Sequence, residues 1–295
     1  MERVKFGNTD SMVTPMGVGT YYDFRWIGLA KVLRVKPGKD RRVSAIKAGL
    51  DSGINFIDTA EIYETEPFVR EAIKGRNRED VFIATKVFPL HYSFDGVVKS
   101  CERSLRKLGT GYIDLYQLHM HSSPEKVKDA LRGLEKLKDD GKIKHIGISN
   151  FSLKQTEEAV SFMKKHEIKS TQMNFNVAHR NIEKDLVPYC KENGIAILAY
   201  YPLAHGVLTS QSSIGKEVLD EIEKNHGKKT IPQIVLNWFY SKYDSVYPIP
   251  RASNPDHVKE NAGSVGWKMA PEEITMLEDA ASKIQGPSWS GDNTA

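Results

Sequence analysis

Four side chains capable of proton chemistry follow apolar, strand-like runs of the sequence. Asp58 and Tyr63 follow one run, Lys86 ends the next, and His119 ends a third. A phenol near pKa 10 is a poor acid at neutral pH unless a nearby cation stabilises its phenolate, and Lys86 could supply that cation. Asp58 would keep Lys86 charged, and His119 could hydrogen-bond a substrate oxygen beside the phenol. Together these residues predict a site that protonates an oxygen on which negative charge develops.

Each of these residues alone also has a structural interpretation. Asp58 could cap a helix, Tyr63 could belong to the core, Lys86 could be exposed, and His119 could be a hydrogen-bonded core histidine. Their shared position at the downstream ends of successive strand-like runs favours a common active site instead.

The elements that must position them alternate along the chain. Amphipathic segments with a 3.6-residue apolar rhythm separate eight apolar runs, and this alternation predicts a closed (β/α)₈ TIM barrel whose strands all end at one rim. The predicted strands are residues 15–19, 55–58, 81–85, 113–118, 146–149, 171–175, 196–200 and 246–249.

Three additions to this barrel are expected. Residues 4–6 and 11–13 flank a turn at Gly7-Asn8 and predict an N-terminal β-hairpin. Residues 21–40 and 203–229 exceed what the barrel needs and predict long loops at the C-terminal rim. The aromatic residues of the first loop could line a substrate pocket or form a local hydrophobic cluster. The candidate substrate-pocket residues are Tyr21, Tyr22, Trp26 and Phe88.

Length and composition describe an ordinary folded chain. We predict a single domain over residues 1–295, with a flexible tail at 286–295, because no linker divides the sequence. Interleaved charges summing to +4 argue against nucleic acid as a partner. With two cysteines, no apolar leader and no long apolar run, we expect a cytoplasmic protein without membrane insertion. The sequence leaves open whether the protein is a monomer or a homo-oligomer.

Several common motifs are missing. Gly17-Val18-Gly19-Thr20 follows a strand but lacks the third glycine of a dinucleotide fingerprint, so its glycines are expected to approach a ligand or a neighbouring strand. The sequence also lacks a Walker lysine motif, a His-Glu-x-x-His helix and a Cys-x-x-Cys pair. We therefore expect neither nucleoside triphosphate hydrolysis nor a catalytic metal.

Longer motifs around these positions resemble those of the aldo-keto reductase family over essentially the whole chain. They are Asp58-Thr59-Ala60 with Tyr63, Thr85-Lys86, Gln117-Leu118-His119, Gly147-Ile148-Ser149-Asn150-Phe151 and Gln172-Met173-Asn174. The resemblance implies reduction of an aldehyde or ketone by direct hydride transfer from a nicotinamide. It also implies that Tyr63 is the general acid, that Lys86 and Asp58 tune it, and that His119 orients the carbonyl.

The same resemblance implies the cofactor contacts. Ser149, Asn150 and Gln172 would hold the nicotinamide carboxamide, and Tyr200 would stack on its ring. The remaining candidates, from the pyrophosphate to the adenosine, are Gly19, Thr20, Asp58, Leu203, Gly206, Leu208, Arg251, Ser253, His257, Glu260 and Asn261. Arg251 and Ser253 favour NADP(H) over NAD(H), although His257 stands where many relatives have an arginine.

Two other functions remain open at this point. Lys86 could form a Schiff base in a barrel aldolase, although Asp58 beside it favours the protonated amine. Alternatively, the barrel could bind the cofactor as a regulatory subunit with little turnover. This sequence differs from the family's motifs at Glu64 and at Tyr201, so the resemblance is not extended to substrate specificity.

Overall fold

The computed structural model describes residues 1–284 of the 295-residue chain, so the predicted tail at 286–295 lies outside it. Within these residues, eight parallel strands pair in chain order. All eight predicted strands are present, with ends shifted by at most a few residues. They are β3 (Gly17–Gly19), β4 (Phe56–Asp58), β5 (Phe82–Val87), β6 (Ile113–Leu118), β7 (Ile143–Ser149), β8 (Ile168–Asn174), β9 (Ala196–Tyr200) and β10 (Val246–Pro248).

The sheet closes on itself between its first and last strands. Gly19 forms a parallel bridge with Arg251, and its N–H donates to the Pro250 carbonyl oxygen at 2.9 Å. A Cβ atom on Gly19 would lie only 2.9 Å from the Ile249 carbonyl oxygen. This glycine is therefore explained by the close approach of two strands, and the predicted (β/α)₈ barrel is confirmed.

Helices surround the barrel, and their sequences explain their limits. In α4 (Phe94–Leu108), the Ser93 side chain caps the first turn, and Gly109 in the left-handed conformation ends the helix. The others are α1 (Phe24–Gly28), α2 (Lys39–Asp51), α3 (Glu66–Ile73), α5 (Pro124–Asp139), α6 (Leu153–Phe162), α7 (Leu186–Glu192), α8 (Gln211–Ile214), α9 (Lys216–His226), α10 (Ile231–Lys242), α11 (Pro255–Ala262) and α12 (Pro271–Ser282). Among residues 1–284, none is long and apolar enough to cross a membrane.

The two long rim segments are more ordered than the loops predicted for them. Residues 21–40 contain α1 and a π-helical turn at Leu29–Leu33, while residues 203–229 contain the turn Ala204–Thr209 together with α8 and α9. Their apolar residues explain this difference, because Trp26 and Ala30 on the first segment, and Val218 and Ile222 on the second, are buried at helical spacing.

The predicted hairpin closes the other end of the barrel. It consists of β1 (Val4–Lys5) and β2 (Met12–Val13), which pair antiparallel. The fully buried Phe6 ring after β1 packs against Phe82 and Tyr247, with centroids 4.9 and 5.3 Å away. This end is filled by apolar side chains, so the chemistry must lie at the opposite rim.

Candidate active site

Asp58 and Lys86 form a buried ion pair at the carboxyl ends of neighbouring strands. The Lys86 Nζ atom donates to both Asp58 carboxylate oxygens at 2.8 and 2.7 Å, and to the Thr59 carbonyl oxygen at 2.8 Å. Both side chains are almost completely buried. Three acceptors around Nζ match the three N–H donors of an ammonium group, so the geometry is that of a charged lysine.

Burial and pairing act in opposite directions on these two groups. Loss of water lowers the pKa of Lys86 and raises the pKa of Asp58, and in each case the charge of the partner opposes the effect of burial. Gln172 on β8 also donates its Nε2–H to Asp58 Oδ1 at 2.8 Å. The pair therefore depends on mutual contact, because either charge alone would be poorly solvated.

Tyr63 and His119 meet beside this pair. Tyr63 ends the helical turn Glu61–Tyr63 after β4, and His119 follows β6. The Tyr63 hydroxyl lies 3.3 Å from His119 Nε2, and Lys86 Nζ lies 5.2 Å from the centre of the Tyr63 ring. The four residues expected to share an acid site are thus brought together.

Tyr63 carries its proton in this structure. Burial raises the pKa of Tyr63 well above its usual value of 10, and the nearby Asp58 carboxylate raises it further. The three donors of Lys86 go to Asp58 and Thr59, so none reaches the Tyr63 hydroxyl, and the tuning of Tyr63 by Lys86 stays a prediction. Tyr63 is held as a neutral phenol, which keeps its proton available for donation.

Burial also keeps His119 neutral. It lowers the pKa of His119 from 6.5 to about 3, with the Lys86 charge adding to the effect. A neutral imidazole offers one donor and one acceptor. Its Nδ1 atom is buried without a hydrogen-bond partner among the described residues. His119 can therefore orient a polar group but carries no charge of its own at neutral pH.

A second set of polar side chains lies next to His119 on the same rim of the barrel. The Asn150 amide nitrogen donates to the His119 carbonyl oxygen at 3.0 Å, and its amide oxygen accepts from the Tyr200 hydroxyl at 2.8 Å. The Ser149 hydroxyl donates to the Gln172 carbonyl oxygen at 3.1 Å. These four predicted nicotinamide contacts on β7, β8 and β9 are thus joined into one network beside the acid site.

One amide oxygen near this network lacks a donor from the described part of the chain. It is the side-chain oxygen of Asn174, which is buried, while Gln172 on the same strand directs its Nε2–H to Asp58. Residues two apart on a strand face the same side, so both side chains belong to one face of β8. Such an acceptor suits a ligand that presents N–H groups, as a carboxamide does, and the residues present therefore fit a nicotinamide.

The predicted adenosine end lies where β10 leads into α11. Arg251 is exposed and donates one N–H to the Tyr22 carbonyl oxygen at 3.0 Å. Ser253 and Glu260 are half-buried, His257 is exposed, and Asn261 is buried. A guanidinium next to the start of a helix has the chemistry of a phosphate site.

Some other predicted cofactor residues lie deeper than expected. Thr20 is fully buried, and its hydroxyl contacts the Thr65 hydroxyl at 2.8 Å, while the Leu208 side chain belongs to the hydrophobic core. A ligand would meet these two residues at the backbone, and their contact with the cofactor stays a prediction. Leu203 is half-buried, and Gly206 adopts φ 93° in an exposed turn.

The aromatic candidates for the substrate pocket separate into two groups. Tyr21 packs near Tyr63 with ring centroids 5.1 Å apart, and the Phe88 ring lies 6.0 Å from that of His119. Tyr22 and Trp26 are instead buried together, each with the Arg42 guanidinium over its ring. The structure therefore favours the hydrophobic-cluster alternative for this second pair.

Sequence reasoning missed two residues near the acid site. Glu61 hydrogen-bonds the Phe88 N–H at 2.6 Å, and Asn174 carries the unpartnered oxygen. The sequence signal for Glu61 was its place two residues before Tyr63, whereas Asn174 closed the Gln172-Met173-Asn174 motif without being assigned a role. Within residues 1–284, no group of three or more His, Cys, Asp and Glu residues could hold a metal ion.

Comparisons of the sequence and of the structure with known proteins lead to the same family. The model of the aldo/keto reductase family matches residues 27–282. A glyoxal reductase of Bacillus subtilis is 35% identical over 255 residues, covering 86% of this chain and 87% of that protein. A methylglyoxal reductase of Escherichia coli is 33% identical over 241 residues, covering 81% and 84%. An aldo/keto reductase from Klebsiella pneumoniae, solved with NADP and acetate, superimposes with a TM-score of 0.82 at 29% identity and covers 96% of each chain.

Proposed function

This chain belongs to the aldo/keto reductase family, and from that premise we propose that it reduces aldehydes or ketones to alcohols with NADPH, using Tyr63 as the proton donor. The observation that carries this proposal is the buried Tyr63 hydroxyl, 3.3 Å from the neutral His119 and beside the Lys86–Asp58 pair. A small carbonyl oxygen placed beside both Tyr63 and His119 would meet a proton donor and an orienting imidazole at the same time.

The residues of this chain suit that proton transfer. Burial keeps Tyr63 protonated, so its proton leaves only when a stronger base, such as a developing alkoxide, forms nearby. The Lys86 charge, 5.2 Å from the ring centre, would then stabilise the phenolate left behind. A nicotinamide held by Ser149, Asn150, Gln172 and Tyr200 would supply the hydride.

The names of two relatives suggest the substrate class. A glyoxal reductase and a methylglyoxal reductase are each about a third identical to this chain. We propose small 2-oxoaldehydes as substrates, consistent with an acid site crowded by Tyr21 and Phe88. The preference for NADPH rests on Arg251 and Ser253, and the single-domain organisation and cytoplasmic location remain proposals from the sequence.

The two alternatives differ in how the structure supports them. A Schiff-base aldolase needs an accessible lysine amine, yet Lys86 is completely buried and donates to three oxygens. The geometry therefore disfavours aldolase chemistry. A regulatory subunit would keep the same cofactor contacts, so measurement of turnover must separate it from a reductase.

The test is NADPH oxidation with methylglyoxal by the wild type, by Tyr63→Phe and by Tyr247→Phe, a buried tyrosine at the opposite end of the barrel. We expect Tyr63→Phe to lower kcat on the order of 10²- to 10⁴-fold while the NADPH Kd, from fluorescence quenching, changes less than about twofold. Tyr247→Phe should retain turnover. Tight NADPH binding without wild-type turnover on any aldehyde would support the regulatory role instead.

A further inference from the structure

Glu61 is a nearly buried carboxylate that the proposed chemistry does not use. It opens the helical turn Glu61–Tyr63 that ends at the proposed proton donor, and its side chain is only 10% exposed. Carboxylates are seldom buried unless hydrogen bonds and cations replace their water. The partners of Glu61 therefore indicate what it does.

One oxygen of this carboxylate holds the segment that follows β5. Glu61 Oε1 accepts the Phe88 N–H at 2.6 Å and lies 2.9 Å from His91 Nδ1. Phe88 precedes the helical turn Pro89–His91 and follows the strand that carries Lys86. A single oxygen atom thus contacts the residue before the turn Pro89–His91 and the last residue of that turn.

The other oxygen attaches the same carboxylate to a barrel helix. Glu61 Oε2 accepts a hydrogen bond from the Ser100 hydroxyl and lies 3.6 Å from the Arg103 guanidinium, both on α4. Glu61 consequently connects three parts of the rim: the turn of Tyr63, the segment starting at Phe88, and helix α4. These parts are up to 42 residues apart in the sequence, from Glu61 to Arg103.

The Phe88 ring is the part of this assembly that faces the chemistry. It is half-buried and nearly perpendicular to the His119 ring, 6.0 Å between centroids. The backbone also links them, because the His119 N–H donates to the Val87 carbonyl oxygen at 3.0 Å. Tyr63 and Phe88 therefore both pack against the His119 ring, and Glu61 links the turn that carries Tyr63 to the backbone of Phe88.

We propose that Glu61 is a positioning residue that fixes the aromatic wall at Phe88 relative to Tyr63, and thereby limits the size of the group attached to the reacting carbonyl. This inference rests on the proposed reductase function and adds a determinant of its specificity. A looser wall would admit bulkier aldehydes and hold small ones less well. Both changes raise kcat/KM for bulky aldehydes relative to kcat/KM for small ones.

Three substitutions separate this role from general support of the fold. Glu61→Ala removes the acceptor for the Phe88 N–H. Glu61→Asp keeps the charge but withdraws the acceptor by one methylene, and it serves as the second variant if the alanine form does not fold. Glu61→Gln keeps an oxygen for Phe88, and its NH₂ can donate to the Ser100 hydroxyl, so it should restore the wall. Asp51→Ala, an exposed carboxylate paired with Arg76, is the control.

The experiment compares kcat/KM for phenylglyoxal and methylglyoxal, which share the reacting aldehyde but differ in bulk. For Glu61→Ala and Glu61→Asp, we expect the phenylglyoxal-to-methylglyoxal ratio to rise at least about fivefold, with NADPH Kd unchanged. Glu61→Gln and Asp51→Ala should keep the wild-type ratio. Proportional loss of both activities, or failure of glutamine to restore the ratio, overturns the positioning role. Absence of wild-type turnover on both aldehydes overturns the proposed function itself.

Discussion

Two opposite charges lie buried next to the proposed proton donor, and each depends on the other. Lys86 donates to Asp58 and to the Thr59 carbonyl, while Asp58 also accepts from Gln172. Removing one member of such a pair leaves an uncompensated charge at a buried position. The pair must therefore be tested for stability and for activity separately.

We predict that Lys86→Met lowers the free energy of unfolding by about 3–5 kcal/mol. Adding Asp58→Asn should recover part of this loss, because the stranded carboxylate is removed, but turnover should stay low in both variants. Urea unfolding and steady-state NADPH oxidation measure the two effects. A double variant no more stable than Lys86→Met would contradict the assignment of a mutually dependent pair.

Buried neutral histidines predict a loss of stability in acid. Burial lowers the pKa of His119 to about 3 and that of His145 to about 4, whereas an unfolded histidine titrates near 6.5. Because the folded pKa values are lower, the unfolded chain binds more protons below pH 6.5, and this contribution to stability is lost as pH falls toward the folded values.

We therefore expect each of these histidines to reduce the free energy of unfolding by about 2 kcal/mol between pH 7 and pH 5. His145 Nε2 lies 2.7 Å from the Ser11 hydroxyl at the barrel end far from the acid site. Its replacement in His145→Gln should flatten the pH dependence by that amount without changing catalysis. An unchanged slope in urea titrations at the two pH values would show that His145 titrates normally in the folded protein.

At the scale of elements, the junction of β10 and α11 is proposed to choose the cofactor. Arg251 is exposed there and uses one N–H on the Tyr22 backbone, while the remaining guanidinium donors can face a phosphate. His257 is the third residue of α11 and is also exposed. Substitutions at these two positions should move the proposed preference for NADPH over NADH in opposite directions.

Arg251→Ala should weaken NADPH binding on the order of 10- to 100-fold and NADH binding much less, because only NADPH carries the 2′-phosphate. Fluorescence titrations with both cofactors provide the measurement. Equal losses for NADPH and NADH would remove the phosphate assignment.

His257→Arg is the complementary change. It adds a permanently charged fork of donors near the start of α11, so NADPH should bind about 3- to 10-fold more tightly, while NADH is little affected. The same titrations apply, with Lys259→Arg, an exposed cation elsewhere on α11, as the control. Tighter binding of both cofactors would indicate a general electrostatic effect instead.

The strands of the barrel could be predicted from the sequence more completely than the contacts within the candidate site. The barrel strands were predictable because apolar runs and helical periodicity are local, and strand ends then bring Asp58, Lys86 and His119 to one rim. The role of Glu61 was not predictable, because its partners Phe88 and Ser100 are 27 and 39 residues away. The raised pKa of Tyr63 was not predictable either, since it depends on how deeply the fold buries the phenol.

At the scale of the whole molecule, the barrel closes at Gly19 and Arg251, and the hairpin covers one end with apolar side chains. At the other end, we propose that a carbonyl carbon receives hydride while Tyr63 protonates the oxygen. The most direct measurement uses NADPH carrying deuterium at the transferable C4 position, with methylglyoxal, and mass spectrometry of the product. We predict one deuterium on the new carbinol carbon for the wild type and almost no product with Tyr63→Phe. Product formed without deuterium, or formed equally well by Tyr63→Phe, would contradict the claim.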